Sequence, residues 1–489
     1  MPSQRLFVLP LAVILALAAS TGIGASELML EDCRISAGPG FPGIKARCGD
    51  FERPLDPDHA DGETIILRVA VVPALSLDPE PDPVVPLAGG PGQGAIQFYT
   101  GYSGAFEPLR RNRDILLVDQ RGTGRSAPLT CELGEEMLEG SIADDEALRV
   151  TRECLDQLPY DPRFFTTSVA VRDLDAVREA LGYRALNVYG VSYGSRVAQH
   201  YARRFPANTR TIVLDGVVPP KLALGPDIAL ESQRAVDDIF ARCGEEPACN
   251  ERFPDLAGEF TSVLAMLRDG SIAVNVPDPV SGEGTIFDFG AAEFAVAIRL
   301  LAYQPSTIAL IPLFVHEAAS GNFDPLAAQF LTTTQGLAET IAVGMHNSVM
   351  CSEDTARYNL DELDREALEA SYLGADLVDL MADVCSIWPA GPVDDDLDEN
   401  LDTDIPTLLL SGTADPITPP DYAVQAATGL ERAWLLTGED QGHGQIAVGC
   451  MPEVVAGFVA AGELEDGADD CFKDSFVMPF FLTLSGPKP

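Results

Sequence analysis

The chain is 489 residues long and 46% hydrophobic, roughly three times the usual ~150-residue domain, so it can bury a large core without external staples. With 75 Asp and Glu against 32 Lys and Arg, its formal net charge is −43. A surface of that sign repels phosphate backbones and anionic headgroups, which excludes a nucleic-acid partner. The charge reads first as solubility, with attraction of cationic substrates as the functional alternative.

Residues 1–26 read as a Sec-type signal peptide: Arg5, an apolar run from Leu6 to Ala19, then small residues up to Ser26. The run is interrupted by Pro10 and falls short of the ~20 residues that span a bilayer. The first cysteine is Cys33, so no lipid attachment site adjoins the cut. The expected mature protein is periplasmic or secreted, with no stable membrane anchor after cleavage.

Thr64–Val72 alternates as a strand does, and Pro83–Leu87 and Asp114–Val118 read as short buried strands, each ending in a Gly-rich turn. Ser168–Leu181 carries apolar residues at helical spacing; Ala185–Tyr189 is the next strand, Arg196–Phe205 the next helix and Thr211–Leu214 another strand. This alternation predicts an α/β fold, a mostly parallel sheet with helices on both faces, over residues 27–218. Residues 219–404 read instead as an inserted, largely helical cap, with strand signal only around Ile272–Val276 and Thr285–Phe287. Its acidic run Asp394–Asn400 lacks the ligand spacing of a calcium loop and reads as a solvated linker. Sheet-type sequence returns at Pro406–Leu410 and Ala433–Leu436, making 405–489 the second part of the core.

The chain has 10 cysteines in neighbouring couples: Cys33 and Cys48, Cys131 and Cys154, Cys243 and Cys249, Cys351 and Cys385, Cys450 and Cys471. Pairing in sequence order would give short-loop disulfides in an oxidising compartment, although the sequence leaves connectivity open. No C-x-x-C and no histidine at ligand spacing accompanies them, so a metal site is not expected; nothing in the sequence implies an organic cofactor.

Gly190-Val191-Ser192-Tyr193-Gly194 is a G-x-S-x-G between a predicted strand and a predicted helix, the context a nucleophile elbow requires. A serine hydroxyl needs a base. Of His59, His200, His316, His346 and His443, only His443 follows late sheet-type sequence, in a Gly-flanked loop. Asp415, just past Pro406–Leu410, is the favoured orienting acid, with Asp421 and Asp440 as competitors. Leu87-Ala88-Gly89-Gly90-Pro91-Gly92 follows a predicted strand and allows close backbone approach, so the amides of Gly90 and Tyr193 are candidates for stabilising an oxyanion. A dinucleotide turn fits poorly, since Pro91 removes a phosphate-binding N–H.

GGPGQG at 89–94, DQRGTGRS at 119–126, GVSYGS at 190–195, GTADPITP at 412–419 and QGHG at 441–444, in this order, resemble the prolyl aminopeptidase and tripeptidyl aminopeptidase branch of the α/β-hydrolases. The secreted members with paired cysteines and a TAP-like C-terminal segment are the nearer match. The family's loop commonly begins with His before GGPG; here Ala88 stands there. The resemblance implies an α/β-hydrolase fold with Ser192 as nucleophile, Asp415 as orienting acid, His443 as base, and Gly90 and Tyr193 as oxyanion donors. It also implies that cap carboxylates hold the substrate's free α-amine, which points to Glu353 and Asp354 in Cys351-Ser352-Glu353-Asp354; the competing reading makes them a helix cap. Asp119 and Arg121 are expected to be architectural, ion-paired across the Gly-rich turn beneath the site. The implied activity is a serine exopeptidase whose partner is a peptide with a free N-terminus. The alternative is a carboxylesterase or lipase-like hydrolase of small esters. Oligomeric state is not legible.

Overall fold

The computed structural model describes residues 28–36, 38, 43–131, 144–473 and 477–486. The expected signal peptide, 1–26, lies outside them. Nine strands form one sheet in the order β1 (Glu31–Ile35), β2 (Ile44–Pro54), β3 (Thr64–Val72), β5 (Arg113–Val118), β4 (Glu80–Leu87), β6 (Leu186–Val191), β7 (Thr209–Asp215), β10 (Thr407–Gly412), β11 (Ala433–Gly438). From β5 through β11 all neighbours run parallel; β1, β2 and β3 add an antiparallel edge.

The central strands are buried along their whole length, as in β6 (LNVYGV) and β10 (TLLLSG), because helices cover both faces. Alternate side chains of one strand therefore enter different cores. Val85, Val188 and Leu409 pack on one face with helices α2 (Thr167–Ala180) and α3 (Tyr193–Arg204). Val84, Tyr189, Leu408 and Leu410 pack on the other, with Phe98 of helix α1 (Ala95–Tyr102) and Phe458 of Met451–Ala461.

The edge strands β1 and β2 are absent from the sequence-based expectation. Their residues are charged at every second or third position, and only Ile35, Ala46, Cys48 and Phe51 among their apolar side chains are buried. The Cys33–Cys48 disulfide joins the two. Strand β4 begins at Glu80 rather than Pro83, with Pro81 and Pro83 falling where the ladder to β5 is irregular.

Between β7 and β10 the chain folds into helices and the hairpin β8 (Ile272–Pro277) with β9 (Gly284–Phe289), around a separate apolar core that includes Phe260, Phe289, Phe294 and Phe330. Phe480 and Leu482 join this core, the Arg242 guanidinium lies 4.4 Å from the Phe480 ring, and Phe481 N–H donates to Ala309 O at 2.9 Å. The last described stretch thus packs on the inserted segment, not on the sheet where the expected 405–489 boundary put it. The acidic run at 394–400 also departs from a solvated linker. Asp394 accepts from His200 Nε2 at 2.9 Å and Arg204 Nε at 2.8 Å, docking the returning chain onto α3.

All ten cysteines are paired in sequence order: Cys33–Cys48, Cys131–Cys154, Cys243–Cys249, Cys351–Cys385 and Cys450–Cys471. Such a set belongs to an oxidising compartment. Among the described residues no helix is long and apolar enough to cross a membrane.

Candidate active site

Strand β6 ends at Val191 and α3 begins at Tyr193, leaving Ser192 between them at φ 56°, ψ −130°, a conformation that L residues rarely adopt. The flanking glycines are required sterically. A Cβ on Gly190 would lie 2.2 Å from Gly194 O, and one on Gly194 would lie 2.2 Å from Leu87 O. Ser195 Oγ donates to Ser192 O at 2.6 Å and accepts from Val218 N–H at 2.9 Å, fixing the turn from below.

His443 Nδ1 stands 2.8 Å from Asp415 Oδ2. Asp415 is fully buried and saturated: Oδ1 accepts the N–H groups of Ile417 and Thr418, both at 2.8 Å, and Oδ2 accepts Thr418 Oγ1–H at 2.6 Å. Burial pushes its carboxyl up, but the facing His443 charge and these hydrogen bonds outweigh that and hold it below the ordinary range. For His443, burial opposes the charge, yet the Asp415 contact and the nearby Asp215 carboxylate raise its pKa above the ordinary 6.5. The competitors of Asp415 do not reach the imidazole: Asp421 lies in the first turn of Pro420–Ala426, and Asp440 N–H donates to Thr413 Oγ1. No hydrogen bond joins Ser192 Oγ to His443 among the described residues, a contact that in unliganded enzymes is commonly long.

Sequence reasoning missed Asp215, at the end of β7. It accepts Tyr189 Oη–H at 2.7 Å and the N–H groups of Gln445 and Ile446, so it ties down the loop that carries His443. Its position as the last residue of a buried strand, paired with Val191 beside the elbow, was the available signal. Thr418, bonded to Asp415 and 3.1 Å from His443 Nδ1, lay within the quoted GTADPITP block.

On the other side of Ser192, a Cβ on Gly89 would lie 3.5 Å from Ser192 Oγ, and Gly90 has φ +112°. Tyr193 opens α3, so its N–H has no acceptor within the helix. The described chain offers no hydrogen-bond acceptor to Gly90 N–H. Asp119 stabilises this wall by accepting from Ile96 N–H at 2.9 Å and Arg125 N–H at 3.1 Å. The expected Asp119–Arg121 pair does not form; Arg121 points away and donates to Asp173 at 2.7 Å, Leu55 O and Phe164 O. Both residues remain architectural in geometry.

Ser192, His443, Gly89 and Gly90 open on one cavity of about 880 Å³, roofed by the inserted segment through Arg299, Tyr303, Leu337 and Ile341. Its lining contains no carboxylate among the described residues. Glu353 and Asp354 lie elsewhere, in a π-helical turn at Met350–Asp354. Glu353 accepts Thr167 N–H at 2.6 Å and Thr167 Oγ1–H at 2.8 Å, while Asp354 accepts Arg196 Nη1–H at 2.9 Å and Leu224 N–H at 2.8 Å. Both are buried with their acceptor sites occupied, holding the inserted segment to α2 and α3 and lying outside the cavity lining where an amine anchor was expected. Burial pushes Glu353 up to about 7, the Arg196 charge and the Thr167 hydrogen bonds opposing it.

The remaining histidines are accounted for. His200 is buried against Asp394, with burial pulling it down to about 4. His316 pairs with Glu259 at 3.0 Å, and the exposed His59 pairs with Asp56. His346 lines the cavity, its Nδ1 3.2 Å from Pro91 O. Among the described residues no cluster of His, Cys, Asp and Glu could hold a metal ion.

Residues 82–242 match the α/β hydrolase fold family and residues 370–471 the TAP-like protein family. The second match begins inside the inserted segment, ahead of the expected boundary at 405. The chain is 26% identical over 467 residues to the serine protease Hip1 of Mycobacterium tuberculosis, covering 87% of each. It is 33% identical over 168 residues to the tripeptidyl aminopeptidase of Streptomyces lividans, 30% of this chain and 31% of that one. A solved proline iminopeptidase of Mycobacterium smegmatis, at 17% identity, aligns with TM-score 0.35 over 88% of this chain and 98% of that chain. The chain has the α/β-hydrolase fold and is a serine hydrolase of the peptidase and aminopeptidase type, similar over part of its length to the prolyl and tripeptidyl aminopeptidases.

Proposed function

We propose that the chain is an exported serine exopeptidase, periplasmic or secreted, that releases short fragments from peptides with a free N-terminus through an acyl-enzyme on Ser192. The supporting observation is the 2.8 Å contact between buried Asp415 and His443 beside the strained Ser192, all serving one cavity. Ser192 Oγ attacks the scissile carbonyl while His443 Nε2 takes its proton, and Asp415 keeps Nδ1 protonated and stabilises the imidazolium. The Gly90 and Tyr193 amides receive the developing oxyanion. His443 then protonates the departing amine, and a water that it deprotonates releases the acyl group. The sequence-order disulfides support the export half of the reading.

A second reading, a carboxylesterase with the same triad, is favoured by the carboxylate-free lining, since a protonated amine finds no counter-charge there. Free-amine and N-blocked peptidyl chromogens and short-chain esters, assayed side by side, separate the two. Exopeptidase action requires that blocking the amine lowers kcat/KM by at least tenfold; equal turnover of blocked peptides, or turnover of esters alone, overturns it. Ser192→Ala is expected to lose about 10⁴-fold or more in kcat on every substrate. An organophosphonate adduct anywhere but Ser192 refutes the nucleophile.

A further inference from the structure

With 75 acids and 32 bases in the chain, an arginine would be expected to find a carboxylate. Arg121, Arg196 and Arg234 each do. Arg299 does not. It projects from the helix Ala291–Leu301 into the lining of the catalytic cavity, and among the described residues it forms no ion pair. Its Nη2 donates to Tyr303 Oη at 3.4 Å, and its Nε is buried with no hydrogen-bond partner. It is the one permanently charged side chain of the described lining. Its charge acts within the cavity: burial lowers the pKa of His346, and Arg299 pushes in the same direction.

Arg299 is also close to the chemistry. Tyr303, one helical turn on, accepts His443 N–H on its carbonyl at 2.7 Å, and its ring stands 5.3 Å from the imidazole, edge-on. The guanidinium therefore lies within a few extended residues of the reacting carbonyl, at ~3.3–3.6 Å per residue. A planar fork of five donors, half-buried and short of acceptors, is matched by a carboxylate, which accepts two parallel N–H groups.

We infer that Arg299 is an anion subsite of the catalytic cavity and receives a substrate carboxylate a few residues from the scissile bond. The inference rests on Ser192 and His443 reacting in that cavity. The carboxylate has two sources: an acidic side chain near the scissile bond, or the C-terminus of a short peptide that fits the cavity whole. Either would make this an enzyme for acidic or very short peptides despite a net charge that repels them at long range.

The test compares matched free-amine peptides, Glu against Gln at each of the three positions before and after the scissile bond, and free C-terminal acid against C-terminal amide. The parent enzyme is expected to favour the carboxylate member of at least one pair by about tenfold to a hundredfold in kcat/KM, the yield of a charge-assisted hydrogen bond. Arg299→Met should bring that ratio to one or below, and Arg299→Lys should restore part of it. Labelling of Ser192 by a neutral organophosphonate in each variant confirms that it has folded with a competent site. A parent ratio of one in all pairs, or a ratio that survives Arg299→Met, overturns the inference. If every peptide fails while esters turn over, the exopeptidase reading falls. Arg299 is then judged by the same ratio on a half-acid ester against its neutral diester.

Discussion

Gly216→Ala should disarm His443 without touching it covalently. Gly216 has φ +58°, and a Cβ there would come 2.9 Å from His443 Cε1, 3.1 Å from Nδ1 and 3.1 Å from Thr418 Oγ1. Ordinary carbon contacts lie at ~3.5–4.0 Å, so the imidazole must retreat by roughly 0.5–1 Å. The Asp415 bond at 2.8 Å then stretches past hydrogen-bond range, and the base loses its aim at Ser192. A misplacement of that size costs about 10²-fold in kcat/KM. The left-handed backbone adds about 1–2 kcal/mol of destabilisation. Gly182→Ala supplies the control, because Gly182 has φ +76° but a Cβ there meets nothing within 4 Å. Both variants should show similar losses in denaturant midpoint, while Gly216→Ala alone loses activity and reacts slowly with an organophosphonate. If Gly216→Ala keeps activity within about threefold of the parent while matching Gly182→Ala in stability, His443 is not the group whose placement limits the reaction.

The acid limb of kcat/KM should titrate above 6.5, since Asp415 and Asp215 both favour the imidazolium and the neutral form must accept the proton. Asp415→Asn should move that limb down and cost about 10⁴-fold in kcat; an unmoved limb would assign it to another group. Glu353→Gln is expected to alter stability rather than substrate choice. A carboxyl at about 7 when folded against an ordinary 4.5 keeps its proton in the folded state longer than in the unfolded state, so its contribution is present below 4.5 and declines as pH rises toward 7. The variant should lack that part of the decline when denaturant midpoints at pH 5 and pH 8 are compared; loss of free-amine selectivity instead would return Glu353 to substrate binding.

How far the sequence could be read depended on where each interaction closed. Strands β6 and β10 are buried on both faces, so their apolar runs are unbroken and conspicuous. Strands β1 and β2 are half-solvated edges whose Arg and Glu residues hide the alternation of Ala46 and Cys48, and Phe51 turns to the other face. The elbow and the Asp415–His443 couple follow from local turns with fixed steric demands, which is why short motifs betray them. Glu353 is different. Its chemistry is set by Thr167, 186 positions earlier in the chain, and the sequence shows a carboxylate without showing that its acceptor sites are filled. Arg121 misled in the same way, since its partner Asp173 comes from a helix and not from the adjoining turn. Arg299 carries no motif at all; it becomes conspicuous only when its surroundings prove to hold no acid.

The ion pair between Arg196 and Asp354 bears on how a substrate arrives. Arg196 lies on α3, one turn past Ser192, and its guanidinium also donates to Leu222 O, so the nucleophile's own helix is bolted to the segment that roofs the cavity. Breaking a buried pair by removing one partner typically costs about 3–5 kcal/mol, which sets the scale for prying that roof off its floor. The entrance is thus a doorway with a fixed lintel rather than a hinged gate. Loose ends of chain can be posted through such a doorway, whereas a loop anchored at both sides in a folded protein cannot. On the proposed exopeptidase reading, that clearance would act beside any carboxylate contact at Arg299, favouring short or terminal segments and sparing folded neighbours.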